Sequence, residues 1–281
     1  MTDNSRKRRI LVIGHINHDR IWRLNEPLRS GARIAWHERT TRLGGGGYFT
    51  AHRLLDYGHR VSLLSNLMAD IHGSEALNEL MALGFDTNLI TIHDGETDFA
   101  DILLDPLGER TILSSEKRLA RKFHLNEPAA ADAIYINGPH VQEAVLATLD
   151  KSPLVVSQFP LRNADPRPAD CLIGSMADMP GRTPAELWRE AKRLAGERLR
   201  FLVMTDGPDP TLIHDGHETR RIPVPKYVTV RDTIGAGDSF SGALIHQLLQ
   251  GYDIETATHN ASLSTADWLA DRESHPNDRP R

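Results

Sequence analysis

Asp232-Thr233-Ile234-Gly235-Ala236-Gly237-Asp238 is the stretch on which the reading of this 281-residue chain turns. An acid stands at each end, and two glycines flank an alanine, so main-chain N–H groups can come close to a ligand. A helical pattern follows at once, with Phe240, Ala243, Leu244 and Leu248 on one face. The spacing places Asp238 on the first turn of that helix. A helix start offers unpaired N–H donors and partial positive charge, which suit an anion. A carboxylate there can cap the helix, or take a proton from a hydroxyl that attacks a phosphate.

The whole string resembles the C-terminal signature Asp-Thr-x-Gly-Ala-Gly-Asp-x-Phe of the ribokinase-like (PfkB) family of carbohydrate kinases. The resemblance implies that Asp238 is the catalytic base and that the Gly235, Ala236 and Gly237 amides form the anion hole. It also implies that Asp232 lies near a monovalent cation site, with K+ the candidate ion.

Working outward, Ile10-Leu11-Val12-Ile13-Gly14 is an apolar run ending in glycine and reads as a buried parallel strand. Ligands in open α/β sheets bind beyond the C-terminal ends of the strands. The loop there carries Asn17 and Asp19, side chains suited to sugar hydroxyls or to an Asx turn. Gly14 to Asp19 is similar to the family's Gly-x-Ile-Asn-x-Asp segment, which implies the sugar-binding role. Arg33 to His37 can form a short strand. Gly44-Gly45-Gly46-Gly47 precedes a helix expected from Tyr48 to Tyr57, and allows the backbone to touch a ligand. Where the family has a sugar-binding asparagine in its Gly-Gly-x-x-x-Asn segment, this chain has Phe49. Tyr48 and Phe49 offer aromatic faces to a sugar ring or a base instead.

Strands are expected at 61–66, 133–136, 154–157, 171–173 and 201–204, and helices at 71–83, 141–149 and 184–200. Thr183 and Glu186 frame a capping box with Pro184 at N1. A hairpin is expected over 97–113. The alternation of strand and helix argues for a mostly parallel sheet covered on both faces. The resemblance implies a three-layer ribokinase-like α/β fold, one domain over 1–281, with a small β lid from about 16–42 and 92–114. The polar, Pro-containing residues 273–281 read as a loose tail.

For the nucleotide, Ser175 and Asp178 stand where the family has Asn-x-x-Glu, and Thr205-Asp206-Gly207 is similar to its Thr-x-Gly. The resemblance therefore places ATP and Mg2+ near Ser175, Asp178, Thr205 and Gly207, with Asn260 toward the adenine.

Composition narrows the classes. Hydrophobic residues are 40% and charged residues 25%, as in globular proteins. A net charge of −5 implies no general attraction to nucleic acid. Cys171 is the only cysteine, which fits a reducing cytoplasm. No apolar run reaches the roughly 20 residues that span a bilayer. The basic run at Arg6 to Arg9 reads as a solvated tail. No Walker-type Gly-x-x-x-x-Gly-Lys, no Gly-x-Gly-x-x-Gly after the first strand, no Gly-x-Ser-x-Gly and no zinc-type motif is present. The sum is an ATP-dependent kinase acting on a hydroxymethyl group of a sugar. A nucleoside kinase of the same fold and a non-catalytic sugar- or nucleotide-binding protein are the alternatives. An exposed lid edge allows a homodimer.

Overall fold

The computed structural model describes residues 7–229 and 232–274. In chain order the strands are β1 Arg9–Ile13, β2 Asn17–Leu24, β3 Trp36–Gly44, β4 Arg60–Met68, β5 Ile90–His93, β6 Phe99–Leu104, β7 Arg110–Leu113, β8 Ala133–Ile136, β9 Val155–Gln158, β10 Cys171–Ser175, β11 Phe201–Asp206, β12 Asp209–His214 and β13 Thr219–Ile222. The α-helices are α1 Gly46–Asp56, α2 Ile71–Leu83, α3 Glu116–Leu119, α4 Glu143–Lys151, α5 Pro184–Ala195, α6 Ala236–Leu249 and α7 Ile254–Ser274.

Nine strands form one sheet in the order β13-β12-β11-β10-β9-β8-β1-β4-β5. From β11 to β5 all neighbours run parallel; β11, β12 and β13 form an antiparallel edge. β1 shows why this sheet needs helices on both sides. Ile10 and Val12 enter the core shared with α1, α2, α6 and α7, whereas Leu11 and Ile13 enter the core shared with α4 and α5. A strand buried on both faces reads as continuously apolar because its period-2 alternation has no polar side. β8 repeats the pattern, with Ala133 and Tyr135 on one face and Ile134 and Ile136 on the other.

A second sheet, β3-β2-β6-β7, stands apart from the first. It is mixed: β2 pairs β3 antiparallel and β6 parallel, and β6 pairs β7 antiparallel. Its inner side carries Ile21, Ile102 and Leu104, packed with Ile234 of the signature and with Phe49. Its other surface is open, with Trp36 and Leu113 each more than half exposed.

Several expected boundaries move. The strand expected at 33–37 begins at Trp36 and runs to Gly44, so the first of the four glycines is a strand residue. α1 starts at Gly46 rather than Tyr48. α5 keeps its capping box, with Thr183 and Glu186 satisfying each other's N–H groups, but it stops at Ala195 instead of 200. Gly196, at φ 67, turns the chain into a short 3-10 segment there. β5, β12 and β13 were not expected. The tail from 275 lies outside the described residues.

Candidate active site

Parallel pairing aligns the C-terminal ends of β1, β8, β10 and β11 along one edge of the large sheet. Asn17, Asn137, Ser175 and Thr205 all follow or end strands on that edge. The first turn of α6 meets them there, because α6 packs beside α1 on the same face.

Gly235, at φ 82, is the N-cap of α6, a left-handed conformation that a side chain would strain. Asp238 is the third helical residue and makes no capping bond. Burial, with a smaller push from Asp19, raises its carboxyl to about 6, while Arg110 pulls the other way. Arg110 comes from β7 and donates to Thr233 Oγ1 at 3.0 Å, so the small sheet delivers a cation to the signature. Ala236 N–H does not serve the expected anion hole, because it donates to Thr233 O at 3.1 Å. The helix-start donors left over are the first-turn amides of Gly237 and Asp238. Gly237 is exposed, and a Cβ there would meet nothing within 4 Å.

The glycine run has a different use from the one expected. A Cβ on Gly44 would lie 1.9 Å from Asp19 Oδ2, and one on Gly46 would lie 2.1 Å from Asn137 Nδ2 and 2.9 Å from Asp238 Oδ1. The missing side chains therefore make room for polar groups of the protein itself. Asn17, Asp19 and Asn137 crowd this backbone, and their Oδ1 atoms are buried without hydrogen-bond partners. Burial raises the Asp19 carboxyl to about 6, against the pull of Arg42 and Arg118. Three unmet acceptors beside a raised carboxylate are what a cleft built for hydroxyl donors presents.

Asn137 was missed in the sequence. It is a lone asparagine after an apolar strand, and only its position at a sheet-edge strand end could have suggested it. Behind it, Arg167 is fully buried and donates to Gly138 O at 2.7 Å and Ser157 Oγ at 3.1 Å, which fixes the loop that follows β8.

Other expected residues are displaced from the cleft. Tyr48 is 5% exposed and belongs to the main core, so it faces no ligand. Phe49 is half-buried; its ring carbons approach within 3.2 Å of a Cβ position on Gly235, and Arg42 lies 5.7 Å over the ring. Asp232 is buried, accepts the Ile234 N–H, and lies 3.2 Å from Arg272 and 3.9 Å from Arg23. Two guanidinium groups already balance its charge, which is a poor setting for K+.

Ser175 and Thr205 are paired in register at the ends of β10 and β11, and Thr205 Oγ1 donates to Gly174 O. Thr205-Asp206-Gly207 is a strand end and hairpin turn, with Gly207 open at φ 55. Asp178 is exposed on a 3-10 turn. Asn260 Nδ2 donates to Gln247 Oε1 at 3.1 Å, tying α7 to α6. An open helix start beside this edge fits a nucleotide phosphate tail. Among the described residues no cluster of three or more His, Cys, Asp or Glu could hold a metal.

A helix-start carboxylate faces a rim of unmet hydroxyl acceptors on a nine-stranded α/β sheet with a small second sheet, an architecture of the ribokinase-like kind. Residues 173–266 match the model of the pfkB family carbohydrate kinases. A nucleoside kinase from Burkholderia thailandensis, solved with inosine, superposes with a TM-score of 0.73 at 19% identity, over 93% of this chain and 90% of that one. A ribokinase from Thermotoga maritima gives 0.72 at 17%, over 92% of each. An Arabidopsis thaliana ribokinase complexed with ribose and ATP gives 0.71 at 16%, over 94% and 93%. The family match covers the C-terminal part of the chain, signature included, and the superpositions show a shared ribokinase-like fold.

Proposed function

We propose that this protein transfers the γ-phosphate of ATP to a hydroxymethyl group of a sugar or sugar-like alcohol, with Asp238 as the general base. The observation that carries the reading is Asp238 itself. It starts a helix, makes no capping bond, is raised to about 6, and stands beside the unmet acceptors of Asn17, Asp19 and Asn137. At neutral pH such a carboxylate is ionised yet basic enough to take a proton, the balance a general base needs.

The chain's own groups divide the work. Asn17, Asp19 and Asn137 receive hydroxyl donors and orient the acceptor, so that one hydroxyl faces Asp238. Asp238 takes that proton as the oxygen becomes a nucleophile. The Gly237 and Asp238 amides, with Arg110, face the negative charge that grows on the phosphoryl oxygens. The small sheet covers the cleft and keeps out water, the competing acceptor. When bound, ATP supplies the phosphoryl group, and Mg2+ offsets its charge. Ser175, Thr205 and Gly207 line the nucleotide side of the same edge. Asp178 and Asn260 stand farther from a direct role, the first exposed and the second engaged with Gln247.

The half-buried ring of Phe49, between Arg42 and Gly235, favours a second reading in which the acceptor is a nucleoside and Phe49 meets its base. The reaction would be the same. A cytoplasmic enzyme accords with the single buried thiol of Cys171, and the edge strands β3 and β7 of the small sheet are where two copies would pair. Coupled measurement of ADP release with neutral sugars, acidic sugars, sugar phosphates and nucleosides tests the proposal. ATP-dependent turnover with at least one class, lost in Asp238→Ala with the fold retained, is expected. Wild-type-like turnover in that variant would refute it.

A further inference from the structure

Arg118, which pulls on the Asp19 carboxyl, lines a second polar site. A recess of about 20 Å3 opens there, walled by His15, Asn66, Thr97, Asp98, Arg118 and Arg121 among others. It has room for one or two water-sized groups, enough for a small charged substituent but not for a sugar ring.

Its chemistry is lopsided. Arg118, on α3, is only 8% exposed. Its Nη2 donates to Ser114 Oγ at 2.9 Å, but its Nε and Nη1 are buried and meet no acceptor. Asp19 and Asp98 attract it, yet neither forms an ion pair with it. Asn66 adds a second unmet donor. Its Oδ1 is taken by His93 at 2.7 Å, which leaves Nδ2 buried and unpartnered. His15 adds a third, since its Nε2 is also buried and unpartnered. Burial, with Arg118 and Arg121 behind it, pushes the His15 imidazole down to about 4, so the ring is neutral and free to donate from that nitrogen. Asp98 is the one acid on the walls, against two guanidinium groups.

Buried donors without acceptors are costly, and a buried guanidinium most of all. A ligand that brings acceptor oxygens and negative charge would satisfy Arg118, Asn66 and His15 together. Chain continuity ties the recess to the reacting end: Ile16 and His18 line it, and they flank Asn17 and precede Asp19, which in turn acts on Asp238.

We propose that the phosphoryl acceptor is an acidic sugar whose carboxylate, remote from the hydroxyl that reacts, is held in this recess by Arg118 with Asn66 and His15. For the reacting hydroxyl the inference rests on the kinase reading; for the anionic end it rests on the recess alone. A carboxylate suits the small volume better than a phosphate.

Binding without nucleotide tests it. Calorimetry would compare D-gluconate with D-glucitol, which has an alcohol in place of the carboxylate, and fructose 6-phosphate with fructose. The wild-type chain is expected to bind gluconate at least about tenfold more tightly than glucitol, and Arg118→Gln to shrink that ratio to about threefold or less. Arg118→Lys is expected to keep part of the preference. Should Arg118→Gln fail to fold, judged by circular dichroism, Asn66→Leu and Arg121→Gln provide the same comparison. Equal or tighter binding of glucitol, or a preference that survives Arg118→Gln, overturns the proposal. A preference confined to the phosphate pair overturns the carboxylate assignment. No turnover is needed, so failure of the kinase reading would appear separately, as absent ADP release with acids that do bind.

Discussion

Replacing Asp238 by Asn should make this protein both inactive and more stable, and the two effects have one cause. Asn is nearly isosteric and cannot accept the proton, so kcat/KM is expected to fall by about 10²–10⁴-fold, the range for loss of a general base. The gain in stability follows from the cost of holding the charge. The folded carboxyl lies at about 6 against an ordinary 3.8, a difference of about two pH units, or about 3 kcal/mol at full effect. The group is partly open to solvent, so about 2 kcal/mol is the expected yield, roughly a 5 °C rise in Tm for a chain of this size. The sign depends on pH. Between 3.8 and about 6 the folded chain holds a proton that the unfolded chain has released, so wild-type stability drops as pH climbs through that window. The advantage of Asp238→Asn should be near zero at pH 4 and complete at pH 7. Urea unfolding of both proteins at the two pH values, beside steady-state kinetics, checks this. An equal stability difference at pH 4 and pH 7 would refute the desolvated carboxylate. A kcat/KM within tenfold of wild type would refute its catalytic use.

The same raised carboxyls of Asp238 and Asp19 predict that wild-type kcat/KM falls as pH drops below about 6, since the base must be ionised; a profile flat to pH 5 would contradict it. Gly46→Ala puts a methyl 2.1 Å from Asn137 Nδ2 and 2.9 Å from Asp238 Oδ1. It is expected to lower kcat/KM by at least about 100-fold, because small displacements of reacting groups are that costly; kinetics and a melting curve together check it. Asn137→Ala should raise KM by about 10- to 100-fold with a smaller effect on kcat, if its unmet Oδ1 receives an acceptor hydroxyl. Asp232→Ala should cost about 1–3 kcal/mol in urea unfolding by removing a buried acid that Arg272 and Arg23 contact. The potassium response of any activity that remains should match wild type, since the carboxylate is committed to those arginines.

What could be read in the sequence was whatever is written in consecutive residues. Ile10 to Ile13 announced a strand buried on both faces; Thr183-Pro184 with Glu186 announced a helix start; Gly235 to Asp238 announced a helix start with an acid on it. Each is a local rule that tertiary structure left standing. β12 and β13 were not legible because their apolar residues are interrupted by Pro210, Arg220 and Arg221. Their pairing comes from the edge of β11, which a linear reading does not show. The polar rim was half legible. Asn17 and Asp19 sit in one short segment, but Asn137 and Arg110 are isolated residues brought to the cleft by the ends of β8 and β7.

The four glycines at 44–47 show how a correct location can carry a wrong physical reason. In sequence they suggest backbone laid bare for a ligand. In the folded chain the space beside Gly44 and Gly46 belongs to Asp19, Asn137 and Asp238. The backbone is thinned so that carboxylates and an amide can be held close together at the end of the sheet, where burial raises two of them to about 6. Burial, with a smaller push from Asp19, disfavours the ionised form of Asp238, as the proposed base requires. Sequence, packing and chemistry thus meet at one point: side chains absent at 44 and 46 permit the proximity that tunes the acid at 238. Adding back a single methyl at Gly46 should undo substrate placement and base positioning together, whereas Asn137→Ala should undo the first alone.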